Sequence, residues 1–151
     1  MFRQKGVKGF TLIELVVVIT ILAILVGIAV PVINQTVERY KLSAYARELA
    51  SDIRLVRHKN INGDLLFRIQ LQGDRYVIRR GLEVLEVKEA PPGVRFLDIF
   101  SSQVFFSGMG APLGRGATTI YIINSYGNIY EVTIMVATGR VQVRPNLDSF
   151  R

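Results

Sequence analysis

Residues 15–37 contain no charged side chain, and residues 15–30 are almost wholly Val, Ile, Leu and Ala. A run of that kind predicts a membrane-spanning helix. Beyond Pro31 the pattern becomes one-sided. Ile33, Val37, Leu42, Tyr45, Leu49, Ile53 and Val56 recur near helical spacing with charges between them, which predicts an amphipathic continuation with one packed face. Asn60, Ile61, Asn62, Gly63 and Asp64 form a stop signal, so one helix is expected from about residue 11 to about residue 59. Gly27 and Pro31 are the points where it would break, kink or unwind.

From residue 65 onward the period changes to that of strands. Residues 66–72 alternate, Gly73 and Asp74 form a turn, and Tyr76, Ile78 and residues 82–87 continue the alternation as a meander. Pro91, Pro92 and Gly93 interrupt it, and residues 94–97 and 104–106 read as short strands. Strands at 118–124, 129–136 and 140–144, with turns at 125–128 and 138–139, complete an antiparallel series. The expected fold is α+β: a long N-terminal helix, first transmembrane (10–31) and then amphipathic (32–62), packed on antiparallel β-sheets (63–151).

Composition narrows the chemistry. Without Cys there is no disulfide framework, thiolate metal site or Cys nucleophile, and the single His58 leaves little room for a histidine site. Gly108, Gly110, Gly114 and Gly116 make residues 107–116 a flexible loop; the segment lacks the Lys-Ser/Thr ending of a phosphate-binding loop. No acid pair, Ser-His arrangement or metal spacing is present, so no enzyme activity, cofactor or metal is expected. The formal charge is +7, and setting aside Arg3, Lys5 and Lys8 leaves 16 basic against 12 acidic side chains, a net +4. Those three cations precede the apolar run, whereas Glu38 and Arg39 after it balance each other. Positive-inside bias then puts the N-terminus in the cytoplasm.

Glu14 stands at the head of the apolar run. Residues 15–30 span roughly 24 Å as a helix, short of a hydrocarbon core of about 30 Å, and adding residues 10–14 brings the span to about 31 Å. The helix therefore crosses only with Glu14 at or inside the membrane edge, where a carboxylate costs on the order of 2–3 kcal/mol unless paired or neutralised. Two competing readings are a cleaved secretory signal with Gly27 and Ala29 before the cut, which Glu14 and Pro31 argue against, and a plain membrane anchor in which Glu14 is incidental.

Gly9, Phe10, Thr11, Leu12, Ile13, Glu14 and Leu15, with the Val-rich run up to Pro31, resemble the class III leader of type IV pilins and type II secretion pseudopilins. The resemblance implies removal of residues 1–9 by prepilin peptidase between Gly9 and Phe10, and methylation of the new amine on Phe10. It also implies that Glu14 attracts the N-terminal amine of a neighbouring subunit during filament assembly.

Further along, residues 105–108, the Gly-rich loop and Gly139, Arg140 and Val141 resemble the globular domain of the GspH/FimT pseudopilin group. That resemblance implies a pilin-like fold and a minor, tip-located subunit of a type II secretion pseudopilus taking part in protein secretion. The alternative is a minor pilin of a DNA-uptake, competence or adhesion pilus. Implied partners are other pilins or pseudopilins, prepilin peptidase, an inner-membrane assembly platform and membrane lipid, with the folded domain periplasmic or extracellular. Arg140, Gln142 and Arg144 would share one strand face, a strip through which some relatives resembling this group bind DNA. A solvated face or a subunit contact is favoured over nucleic acid there.

Overall fold

The computed structural model describes residues 10–63, 67–97, 103–113 and 118–150. Among the described residues, one helix, α1 (Leu12–Ile61), precedes nine strands: β1 (Phe67–Gln72), β2 (Arg75–Arg80), β3 (Glu83–Glu89), β4 (Arg95–Phe96), β5 (Gln103–Phe106), β6 (Pro112–Leu113), β7 (Thr118–Ile123), β8 (Ile129–Ile134) and β9 (Val141–Pro145). A 3-10 turn, Leu147–Phe150, follows β9.

The strands form two sheets, ordered β3-β2-β1-β5-β6 and β4-β7-β8-β9, and every pairing is antiparallel. The expected meander is β1-β2-β3. Its first turn is the Gly73-Asp74 pair, where Gly73 takes φ of 35° and Gln72 faces Arg75. β7, β8 and β9 form a second meander. The simple series implied by the alternation is corrected in one respect: β4 pairs with β7 while β5 returns beside β1, so the chain changes sheet more than once.

The compact unit that holds the sheets begins at Val37, so it includes the second half of α1. Leu42, Tyr45, Ala46, Leu49, Ala50, Ile53 and Val56 recur at three- and four-residue steps and are buried. They share one cluster with Ile69, Leu71, Tyr76, Ile78, Val104 and Phe106 of the first sheet and Phe96, Ile120, Ile122, Val132, Ile134 and Val141 of the second. Burying each large side chain contributes about 1.5–3 kcal/mol, so this face of α1 adds several such increments to the cohesion of the domain. Ile33 and Val37, expected on the packed face, are exposed, because the buried stripe starts only at Leu42.

The end of α1 is fixed by polar side chains. Asn60, fully buried, donates Nδ2 to the carbonyls of Phe67 (3.0 Å) and Phe106 (3.2 Å). Arg57 donates Nε to Gly110 O (3.0 Å) and Nη2 to Thr138 O (2.9 Å), while Arg54 Nη2 reaches Val141 O at 3.2 Å. The helix thus ties the β5–β6 turn of one sheet to the β8–β9 turn of the other. The glycine-rich stretch is correspondingly more ordered than a plain loop: Ser107 N donates to Ala111 O, Gly110 is buried, and Pro112–Leu113 pairs with β5. Gly114 and Gly116 lie outside the described residues.

Candidate assembly site

Thr11 precedes the first residue of α1 and caps it: its Oγ1 accepts the backbone N–H of Glu14 at 3.3 Å. With Glu14 three residues on, the segment has the Thr-x-x-Glu order of a capping box, and an acid in the first turn complements the positive end of the helix dipole. The Thr-x-x-Glu spacing was a legible sign of this cap that the apolar run and Glu14 alone did not suggest. Glu14 is the one ionisable side chain between residues 10 and 37.

The rest of this segment is apolar and uncovered. Leu12 and Ile13 are 82% and 72% exposed, and exposed large hydrophobic residues continue to Ile28. Thr20, the one hydroxyl within the run, donates to Val16 O at 2.8 Å, so it needs no water. Among the described residues, α1 is the one helix long and apolar enough to cross a membrane. The helix continues through Gly27 and Pro31. Pro31 has no N–H to offer the Gly27 carbonyl four residues back, so one helical bond is missing there without ending the helix.

Phe10 is described and 82% exposed, immediately ahead of the Thr11 cap, whereas Gly9 and the three leader cations lie outside the described residues. A free amine on Phe10 would put positive charge at the helix end that the dipole already makes positive. A carboxylate from Glu14 of the same or another chain offsets that conflict, and in a low-dielectric setting it does so more strongly than in water.

The C-terminal strip is arranged differently from the expected one. β9 begins at Val141, so Arg140 lies in the exposed segment before the strand. Gln142 and Arg144 do share the outer face, opposite Thr133 and Glu131. Arg144 therefore has a carboxylate as its cross-strand neighbour, and Glu131 Oε1 also accepts Asn146 Nδ2 at 2.8 Å. Among the described residues, no three His, Cys, Asp or Glu side chains gather in a way that could hold a metal. His58 is exposed near the end of α1, within 3.1 Å of Asn62 Nδ2.

Comparison with known proteins bears on both halves of this geometry. A family model described as the prokaryotic N-terminal methylation motif matches residues 4–30. No curated protein matches the chain by sequence. Two crystal forms of the type IV minor pilin FimU of Pseudomonas aeruginosa strain PAO1 match the fold, with TM-scores of 0.60 and 0.57 at 18% identity. They cover 72% and 69% of this chain and 91% and 93% of FimU. The chain thus carries an N-terminal methylation motif and a long helix packed on antiparallel sheets in the manner of FimU.

Proposed function

We propose that the protein is a non-enzymatic minor subunit of a type IV pilin-like filament, and specifically a GspH/FimT-type pseudopilin at the tip of a type II secretion pseudopilus. The observation that carries this reading is the capped, predominantly apolar N-terminal part of α1, uncovered from Leu12 to Ile28, with Glu14 as its sole ionisable group. Such a segment is suited first to a bilayer and then to a bundle of like helices, where apolar burial gives cohesion and one charge fixes register. On this reading the chain waits in the inner membrane with its N-terminus cytoplasmic. Prepilin peptidase cuts between Gly9 and Phe10 and methylates Phe10, and the assembly platform inserts the subunit with its sheets facing the periplasm or exterior.

The test is the mass of the N-terminal peptide from membranes of cells with the cognate peptidase. A peptide beginning at methylated Phe10 supports the reading, and an intact Met1 or a start after Ala29 overturns it. A second reading, a minor pilin of a type IV pilus, is favoured by the likeness to FimU. Deleting the gene separates the two: loss of protein secretion supports the pseudopilin, and loss of surface pili with secretion intact supports the pilin. The carboxylate opposite Arg144 weighs against DNA uptake through the Arg140, Gln142 and Arg144 strip.

A further inference from the structure

The registers of the first sheet line up five side chains in one row on the face turned away from the core. Val84 of β3 stands beside Arg79 of β2, Arg79 beside Arg68 of β1, Arg68 beside Phe105 of β5, and Phe105 beside Leu113 of β6. The three apolar members are 46%, 37% and 47% exposed in the order Val84, Phe105, Leu113, and both arginines are half-buried. Leu82, in the turn leading into β3, is 91% exposed beside this row.

Two like charges directly opposite each other across a strand pair are unfavourable unless something of the other sign joins them. Arg68 Nη2 donates to Gly81 O at 2.8 Å and Arg79 Nη1 to Leu82 O at 3.4 Å, both in the β2–β3 turn. The Nε atoms of both are buried and have no acceptor among the described residues. Among the described residues neither arginine is ion-paired with a carboxylate, whereas Lys41 pairs with Glu38, and Lys88 with Glu48 and Glu86. Among the described residues, therefore, two adjacent guanidinium groups are partly dehydrated, short of acceptors and flanked on both sides by exposed apolar groups.

We propose that this row is a docking surface for a segment of another protein chain that presents a carboxylate between apolar side chains. Guanidinium groups match carboxylates in bidentate geometry, and arginine and aromatic residues are enriched in the cores of protein interfaces. A nucleic acid would be held by a longer ladder of cations tracking its phosphates, and apolar shoulders close this row after two. The inference deepens the filament reading by naming the chemistry of a neighbouring subunit's surface, and it rests on that reading only for who the partner is.

The experiment is site-specific photo-cross-linking in the native host, with p-benzoylphenylalanine placed at Val84 or at Leu113 of the full chain, and at the exposed Tyr126 as a control. The expected result is a cross-link from both row positions to a protein peptide containing Asp or Glu between apolar residues, and none to that peptide from position 126. Arg79→Glu is expected to lower the yield about tenfold or more, as loss of a buried interface arginine does, and reversing the mapped acid to Arg restores it. The mapping is read with both arginines intact, so it does not depend on a variant folding.

The proposal is overturned by cross-links to nucleic acid or lipid alone, by a mapped peptide without an acid, or by the lack of any cross-link from a chain that is present in filaments. A cross-link to an acidic segment of a protein outside the pilins and their assembly machinery upholds the docking surface and overturns the filament reading instead.

Discussion

The backbone of Gly139 lies so close to the carbonyl of Gly110 that a Cβ on Gly139 would fall onto that oxygen and to within 2.6 Å of Arg57 Nε. Gly139 also has φ of 63°, a left-handed conformation that costs an L-residue about 1–2 kcal/mol. The two turns are brought together by Arg57, which donates to Gly110 and to Thr138 from the last turns of α1. Gly139→Ala is therefore expected to destabilise the domain by more than about 2 kcal/mol, the conformational cost plus overlap with backbone. Gly127→Ala is the control. Gly127 has φ of 79°, but a Cβ there would meet nothing within 4 Å, so a loss of about 1 kcal/mol is expected. Thermal or urea melts of the two variants decide it, and equal losses would mean that the contact with Gly110 is immaterial.

Asn60 makes a comparable join inside the core. Its amide donates to one carbonyl on β1 and one on β5, closing the end of α1 over the first sheet. Asn60→Asp replaces that donor with an acceptor facing two acceptors, in a site with no exposure to water. Asn60→Asp is expected to cost about 3 kcal/mol or more, and Asn60→Ala about 2 kcal/mol. The denaturant midpoint reads the order of the two variants. A tolerated Asp would show that the amide bonds contribute little.

Much of this architecture was legible along the chain, and the parts that were not share a cause. The helix and the meanders follow from local period, and Glu14 stands out because no charge follows it until Glu38. The division into two sheets depends instead on β4, only two residues long, and on β5 returning beside β1, pairings between segments distant in sequence. Gly110 and Gly139 illustrate the same limit: one reads as a loop glycine and the other as a turn glycine, and only the fold shows that they meet. Arg68 and Arg79 were legible as strand residues, yet their adjacency needed the β1–β2 register. At Pro31 one missing bond does not end a helix of 50 residues.

Two buried tyrosines make the domain sensitive to alkali. Tyr76 donates its hydroxyl to Asp52 Oδ2 at 2.7 Å, whereas the buried Tyr45 hydroxyl has no partner among the described residues. Burial raises both phenols above their ordinary value of 10.0, and for Tyr76 the bond to Asp52 raises it further. In the unfolded chain both ionise near that ordinary value, while in the folded chain they stay protonated. The unfolded state then binds fewer protons, and stability present below pH 10 falls as the pH rises above it. Each tyrosine contributes a slope of up to about 1.4 kcal/mol per pH unit, so urea midpoints measured from about pH 8 to about pH 11.5 should drop late and steeply.

At neutral pH the same pair should separate. Tyr76→Phe loses a bond to a carboxylate, at about 1.5–3 kcal/mol, whereas Tyr45→Phe removes an unpartnered hydroxyl and should be neutral or slightly stabilising. Each variant is expected to flatten the alkaline fall. A Tyr45→Phe loss as large as that of Tyr76→Phe would overturn the distinction.

Glu14 is open to two physical roles that substitutions can separate. As the acid of the first turn it supports the helix end beside the Thr11 cap, a contribution of about 0.3–1 kcal/mol. As a charge at the membrane edge it is costly alone and stabilising opposite an amine. Glu14→Ala leaves the apolar run intact, so membrane insertion should be unchanged or improved. Breaking a buried ion pair costs about 3–5 kcal/mol, which corresponds to a hundredfold or greater loss of incorporation into filaments. Glu14→Gln keeps an oxygen for capping but no charge, and it should fail in filaments as Ala does. Immunoblots of sheared filaments against membranes make the comparison. If Glu14→Gln assembles like the parent chain, the residue serves the helix end and not the neighbouring amine.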